Sequence, residues 1–416
     1  MPDYSTPRVL PEYMVGDHLT PDPEDRKHTK AFDNQSTNTR GWNTEIRKQC
    51  RDALDKALIL EDFSFAVHQR YVDDNGLPKI GGPPSRPGPS ISLHEDQPCV
   101  VAGWDELVGV FYIPRFVHAV SLSNFTAHTN AHAKFQFPKP PPLKRVYRPV
   151  KCWHSTDIKQ FDIGFWLCLH YGLWHPTGHG VCCCFGPTRD MTNNWTNEQW
   201  SSRIQFLDAM HPVDGRANYF TWLTRPDFYD VLAAACPLYK THPSFAPFDH
   251  VWHSLFPGRA LLVNQESGQH LDQQGVRRAW DVLIAAGDFE GGEVFFADVN
   301  LFVPFLPGDM IAFDGTALRH EVRPFSGKRR ISHVYFVHRS VLDQLGIPAK
   351  FDDVYLADLR ARIESFDRPL PVYGPALPPG FRPSRRKRDN DDQVERPAKR
   401  SKRAKSGKCS KTVKSA

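Results

Sequence analysis

The sequence predicts an α+β protein whose second half is an antiparallel sandwich or barrel of the jelly-roll kind. Three observations predict it. From residue 259 short β-rich runs follow one another: "RALLVNQ", "WDVLIAA", "GEVFFADV", "LFVPFL", "DMIAFDG", "LRHEVRP" and "RRISHVYFVHR". Gly, Pro and Asp turns such as "GDFEGG" and "PGD" separate them, with no helical pattern of useful length between. Ahead of them lie segments of helical periodicity.

Residues 1–40 are polar and irregular. "NTEIRKQCRDALDKALILEDF" reads as a helix: Asn43 is a suitable N-cap, and Ile46, Cys50, Leu54, Ala57 and Leu58 fall on one face. Residues 77–92 form a Pro/Gly linker, and "FPKPPPLKRVYRPVK" (137–151) is a second, basic break. "TNEQWSSRIQFLDAM" carries a capping box, Thr196 with Gln199, and reads as a helix. "RPDFYDVLAAACPLY" reads as another, with Pro226 in its first turn. "DDVYLADLRARIESF" closes the ordered region as a helix. The expected organisation is an N-terminal extension with one helix (1–76), linkers with a small β-rich segment (77–149), a main domain (150–345) with its β core at 259–340, a closing helix (346–370) and a disordered basic tail (371–416).

Composition narrows the function classes. No apolar stretch approaches the roughly 18 residues of a membrane span, and the N-terminus shows no secretory pattern, so no membrane partner is expected. Nine cysteines without such a signal suggest reduced thiols. Cys182–Cys184 in "GVCCCFG" read as a buried strand, since adjacent strand residues point to opposite faces and three in a row cannot hold one metal. The net charge of +5 is uneven: from Arg382 onward 14 Lys/Arg stand against 4 Asp/Glu, leaving residues 1–381 at −5. The clusters "RRKR" and "KRSKRAK" in that tail have the form of a two-part nuclear import signal, implying an import receptor as partner and the nucleus as location. A solubilising or phosphate-binding tail is the plainer alternative.

The chemistry-bearing set lies in the β-rich half. His270 and Asp272 form a His-x-Asp pair, and a chain with 19 His and 47 acidic residues should hold about two such pairs by chance. The second pair, His94/Asp96, has no Arg-x-Ser strand at a useful distance after it and reads as coincidence. His270/Asp272, in contrast, is followed fifty residues on by His320, then by Arg330 and Ser332, all on strands or their edges. Two His and one carboxylate on one face leave three positions open on an octahedral metal, the facial triad of non-haem Fe(II) oxygenases. An Arg deeper in the barrel suits the distal carboxylate of 2-oxoglutarate, with Ser332 in support. Arg330, Ser332, Val334, Phe336 and His338 share a parity, so they project to one side; Ile331, His333, Tyr335 and Val337 project to the other. An inward aromatic and an inward His beside the iron make a pocket for a flat substrate.

These stretches resemble the TET/JBP group of Fe(II)- and 2-oxoglutarate-dependent nucleic-acid oxygenases, and look closest to the TET-like proteins of fungi. "LLVNQESGQHLDQQG", "GDFEGGEVFFADV" and "PGDMIAFDGTALRHEVRPFSGKRRISHVYFVHRS" carry the likeness, about a fifth of the chain; 150–250 is similar only in general character. The resemblance implies a double-stranded β-helix core, iron held by His270, Asp272 and His320, and 2-oxoglutarate held by Arg330 with Ser332. It implies oxidation of the 5-methylcytosine methyl in DNA to hydroxymethyl and beyond. Phe336 would stack on the flipped base and His338 would touch its edge, plain core packing being the other reading of Phe336. Gln273, Gln274 and the segment "RDMTNNW" (189–195) are candidates for further base contacts.

A base in a duplex must be flipped out to meet an iron, so phosphate contacts are expected. Lys144, Arg145, Arg148, Lys151, Arg277, Arg278, Lys328 and Arg329 are the candidates, each individually more ordinary as a surface charge. Two alternatives remain open: an oxygenase of the same fold acting on N6-methyladenine, RNA or protein, and an inactive chromatin-binding protein.

Overall fold

This chain builds two sheets, and the larger is buried on both faces, by the smaller sheet on one side and by helices on the other. The computed structural model describes residues 30–75, 85–135, 167–174, 186–192, 196–265 and 267–365, all in the unit Met1–Gly374. The basic tail, Cys182–Cys184, Lys144, Arg145, Arg148, Lys151 and residues 193–195 lie outside the described residues.

In chain order the strands are β1 (Leu58–Leu60), β2 (Ile91–Ser92), β3 (Cys99–Gly103), β4 (Val108–Ile113), β5 (Leu167–Trp174), β6 (Gly186–Pro187) and β7 (Gly258–Val263). They continue as β8 (Asp281–Gly291), β9 (Val294–Phe296), β10 (Leu301–Val303), β11 (Met310–Phe313), β12 (His320–Val322) and β13 (Phe325–Phe336). The larger sheet has the order β1-β3-β4-β11-β8-β13-β7-β5-β6, and the smaller β12-β9-β10-β2. Pairing is antiparallel except for β1 with β3 and β10 with β2.

The sheets pack face to face. Leu283, Ala285, Ile311 and Phe313 of the larger share one apolar cluster with Val294, Phe296, Leu301 and Val303 of the smaller. The alternate residues Val282, Ile284, Ile331 and Tyr335 turn the other way, onto the helices. The parity expected for β13 holds past its irregularity at Gly327/Arg329: Val334 packs in the inter-sheet cluster, Ile331 and Tyr335 in the helical one.

Several elements differ from the sequence expectation. "GDFEGG" is mostly strand, since β8 runs through it to Gly291. Gly287 has φ +114°, and a Cβ there would lie 2.1 Å from the Arg329 carbonyl oxygen, so only glycine lets β13 pass at this irregularity. The turn falls instead at Gly291 and Gly292, with φ of +75° and +73°. The first helix spans Lys30–Asp55, starting before Asn43 and stopping short of Leu58. "LIL" leaves it because β3 offers a hydrogen-bonding partner and Leu60 is buried there. β4, which precedes residue 150, pairs with β11, Ile113 opposite Met310.

The helix Asn197–Ala209 has the expected capping box, Thr196 N–H donating to Gln199 at 2.9 Å and Gln199 N–H to the Thr196 hydroxyl at 3.3 Å. Pro226–Lys240 and the closing helix Leu356–Glu364 also form. Helices Phe65–Asn75, Ala119–Ala133 and His211–Thr224 were not anticipated. In the last, every residue from Arg216 to Thr224 is buried, so no polar stripe advertises it. No helix among the described residues is long and apolar enough to cross a membrane.

Two histidines sit in the helix–sheet interface. His132 lies 2.9 Å from the Ser202 hydroxyl and 2.5 Å from that of Tyr171. His333 is fully buried, and neither of its nitrogens has a hydrogen-bond partner. Burial, then Arg203, pushes His132 down to about 3; burial, then Arg259, holds His333 well below its ordinary value. The unfolded chain protonates both near 6.5 while the native state refuses the protons. The stability they contribute is therefore whole above pH 6.5 and falls as pH drops toward 3, by up to about 1.4 kcal/mol per pH unit for each. Urea unfolding at fixed metal content between pH 7 and 4.5 is expected to show this slope, and His333→Leu to flatten it. An unchanged slope in that variant would contradict the assignment.

Candidate metal and co-substrate site

Among the described residues, His270, Asp272 and His320 are the three metal-type side chains that converge, their ligand atoms all within 4.8 Å of one another. Main-chain pairing assembles them. The N–H of His270 donates to the His320 carbonyl and the reverse, each at 3.0 Å, so the start of β12 is clamped to the His-x-Asp loop. The Asp272 N–H donates to the Gly315 carbonyl at 2.8 Å. His270 Nδ1 donates to the Gly268 carbonyl at 2.8 Å and His320 Nδ1 to that of Leu318 at 3.0 Å. A carbonyl can only accept, so both Nδ1 atoms carry the proton and both Nε2 atoms present a lone pair. Those Nε2 atoms stand 3.7 Å and 3.6 Å from the Asp272 carboxylate oxygens. Burial, then His270, pushes His320 down to about 4, keeping its imidazole neutral and ready to ligate. Two imidazoles presenting Nε2 and one carboxylate fit a divalent first-row metal such as Fe(II).

Neighbours missed in the sequence reading shape this set. A Cβ on Gly315 would lie 2.3 Å from Asp281 Oδ2 and 2.8 Å from Asp272 Oδ2, so glycine there leaves room for both carboxyls. Burial, then Asp272 and Asp314, holds the Asp281 carboxyl far above the ordinary range. Neither residue has a motif spacing; the register of Asp281 opposite Phe313 brings them in.

Arg330 is 1 % exposed on β13, its guanidinium carbon 5.5, 5.4 and 5.5 Å from the ring centroids of Phe289, Phe305 and Phe325. Its Nη1 donates to the Gln265 carbonyl at 3.3 Å, and its main-chain N–H to Asn264 Oδ1 at 2.9 Å. Gly292 makes space for it: a Cβ there would stand 2.9 Å from Arg330 Nε. Ser332 is buried two residues on. The His320 ring packs on Phe313, centroids 4.7 Å apart. Phe313, against His320, and the three rings around Arg330 belong to one apolar cluster between the sheets.

Phe336 ends β13 with its ring over Gly258, where a Cβ would lie 2.7 Å from it. His338 is drawn to the metal loop by a bridge to Gly275 and by the Arg339 N–H donating to the Gln274 carbonyl at 2.9 Å. Its ring is 5.0 Å from that of Phe336. Burial pushes His338 down to about 4 against the opposing pull of Asp272.

Of the expected basic edge the described residues are Arg277, Arg278, Lys328 and Arg329, and of these only Lys328 is well exposed. Arg277 pairs with Asp73 at 3.0 Å, and Arg278 with Asp73 at 2.8 Å and Asp353 at 2.7 Å. Arg329 is 6 % exposed, and Lys328 faces Asp288 at 3.5 Å. Arg189–Thr192 of "RDMTNNW" form one short helical turn. At His94 the ring accepts the Asp96 N–H at 3.2 Å, and Asp96 is ion-paired with Arg115; among the described residues that pair gathers no third ligand.

No family model and no curated protein matches the chain. Among solved structures the chain is similar to NgTET1 in complex with 5mC DNA, at 14 % identity over 78 % of this chain and 98 % of that one, with a TM-score of 0.44. It is similar to a Pseudomonas putida prolyl-4-hydroxylase at 14 % identity, 56 % and 93 % coverage and a TM-score of 0.28. A 2OG-Fe(II) oxygenase family oxidoreductase from Burkholderia pseudomallei matches at 26 % identity over 20 % of this chain and 41 % of its own, with a TM-score of 0.18. Every one of these scores is below 0.5, and the chemistry of the site rests on its own side chains.

Proposed function

We propose that the protein is an Fe(II)/2-oxoglutarate-dependent dioxygenase with a double-stranded β-helix core, acting on the methyl group of 5-methylcytosine in DNA. One observation carries the oxygenase reading: two imidazoles with their Nδ1 protons tied down, and one carboxylate, converge within 4.8 Å of one another. His270, Asp272 and His320 would hold the iron, and Arg330 with Ser332 the distal carboxylate of 2-oxoglutarate. Bound there, iron and the keto acid supply the oxygen activation that oxidises a C–H bond. The chain's own part is to orient the co-substrate, keep His320 unprotonated and surround the guanidinium with apolar rings that exclude water.

The substrate class rests on the sequence resemblance and on Phe336 and His338 standing together beside the metal loop. A flipped base would stack on Phe336 while His338 addresses its edge. The acid-paired Arg277 and Arg278 favour a second reading, an oxygenase of the same kind acting on another methylated base or on protein. Nuclear location through the basic tail is part of the first reading. The test is incubation with Fe(II), ascorbate, 2-oxoglutarate and duplexes carrying 5-methylcytosine, 5-hydroxymethylcytosine or N6-methyladenine, reading succinate and nucleosides by mass spectrometry. Oxidised cytosine is the expected product. Succinate without base oxidation would favour the second reading, and neither product a silent binder.

A further inference from the structure

We propose that the Gln265 carboxamide is a second recognition group for the distal carboxylate of the co-substrate, beside Arg330; this rests on the oxygenase reading above. Gln265 is 3 % exposed, yet neither Nε2 nor Oε1 has a hydrogen-bond partner. A buried amide is normally paired, because stripping it of water without replacement is unfavourable. The main chain of Gln265 lies at the guanidinium. Its carbonyl accepts from Arg330 Nη1 at 3.3 Å. Asn264 just before it, in the left-handed region at φ 54°, donates its N–H to the Arg330 carbonyl at 2.8 Å and accepts the Arg330 N–H on Oδ1. Five residues later the same loop delivers His270 to the metal. Gln265 thus belongs to the stretch of chain that joins the two groups a chelating dicarboxylate must satisfy.

The chemistry fits one anion. Arg330 supplies charge, and a carboxamide adds N–H donors without adding a second charge. It would sharpen the preference for a carboxylate-ended keto acid over an alkyl-ended one of equal length.

The experiment is an anaerobic titration of the Fe(II)-loaded protein with 2-oxoglutarate and with 2-oxopentanoate, followed by the visible absorbance of the chelated keto acid. Gln265→Met keeps the volume and removes the polar atoms; Gln265→Glu places a like charge against the carboxylate. Loss of a hydrogen bond to a charged group is expected to weaken 2-oxoglutarate roughly tenfold to a hundredfold in Gln265→Met. Gln265→Glu should weaken it further, while 2-oxopentanoate and Fe(II) affinities stay as in the wild type. Equal loss for both keto acids, no loss for either, or an unfolded Gln265→Met would overturn the proposal. A wild type that binds Fe(II) but neither keto acid would overturn the oxygenase reading itself, a different signature from any of these.

Discussion

Replacing His320 with alanine is expected to remove Fe(II) binding and with it all succinate formation, while leaving the fold in place. The fold survives because the hydrogen bonds that clamp β12 to the His-x-Asp loop are main-chain bonds, which alanine keeps. The metal does not survive, because only two of the three converging ligands remain. Outer partners of metal-bound histidines are worth about 10–100-fold in affinity, so losing a ligand should cost at least about a hundredfold. The stabilising effect of metal makes this measurable without turnover. At a hundredfold excess over Kd, metal adds about 2.7 kcal/mol to the wild type. In the variant the same concentration would add at most about 0.4 kcal/mol. Anaerobic melts with and without Fe(II) would read both. A variant stabilised as much as the wild type would refute the ligand set, as would an oxidised base produced by it.

The same site shows what a sequence exposes and what it hides. His270, Asp272 and His320, whose ligand atoms converge within 4.8 Å, could be picked out by their spacing in a strand-rich stretch, and Arg330 and Ser332 were proposed from the same spacing and the alternation of one strand. Asp281 and Gly315 were not, since they meet Asp272 only through the register of β8 on β11. Gln265 was equally silent: nothing in "VNQES" distinguishes a buried amide from an exposed one. Arg277 and Arg278 read as open charges because their partner Asp73 lies about two hundred residues away. In the fold, the runs from 259 to 336 stood out by alternation, whereas "CVVAG" and "VGVFYI" are buried on both faces and carry no period. Their place in the large sheet is a long-range choice, as is the conversion of "LIL" from helix to strand.

Breaking the buried pair between Asp214 and Arg259 is expected to destabilise the protein more than any other single exchange in the helix–sheet interface. Both side chains are 0 % exposed and stand 2.7 Å apart. The Tyr335 hydroxyl donates to the other Asp214 oxygen at 2.8 Å, and the Arg259 guanidinium lies 4.0 Å over the Trp252 ring. Arg259 Nε and Nη1 have no hydrogen-bond partner, so Asp214 and the ring face are what compensate its charge. Asp214→Ala leaves a buried cation without its anion, a change worth about 3–5 kcal/mol. Replacing both, as Asp214→Leu with Arg259→Met, should recover much of that loss because no charge is then stranded. The arrangement matters to the site because Tyr335 is on β13, fixing from the helical side the strand that carries Arg330 on its other face. Urea unfolding of the two singles and the double would give the coupling energy. Single variants costing less than about 1 kcal/mol would show that the pair is not what holds the helix His211–Thr224 to the sheet. A double variant as unstable as the worse single would show that the loss comes from packing around Trp252 rather than from charge.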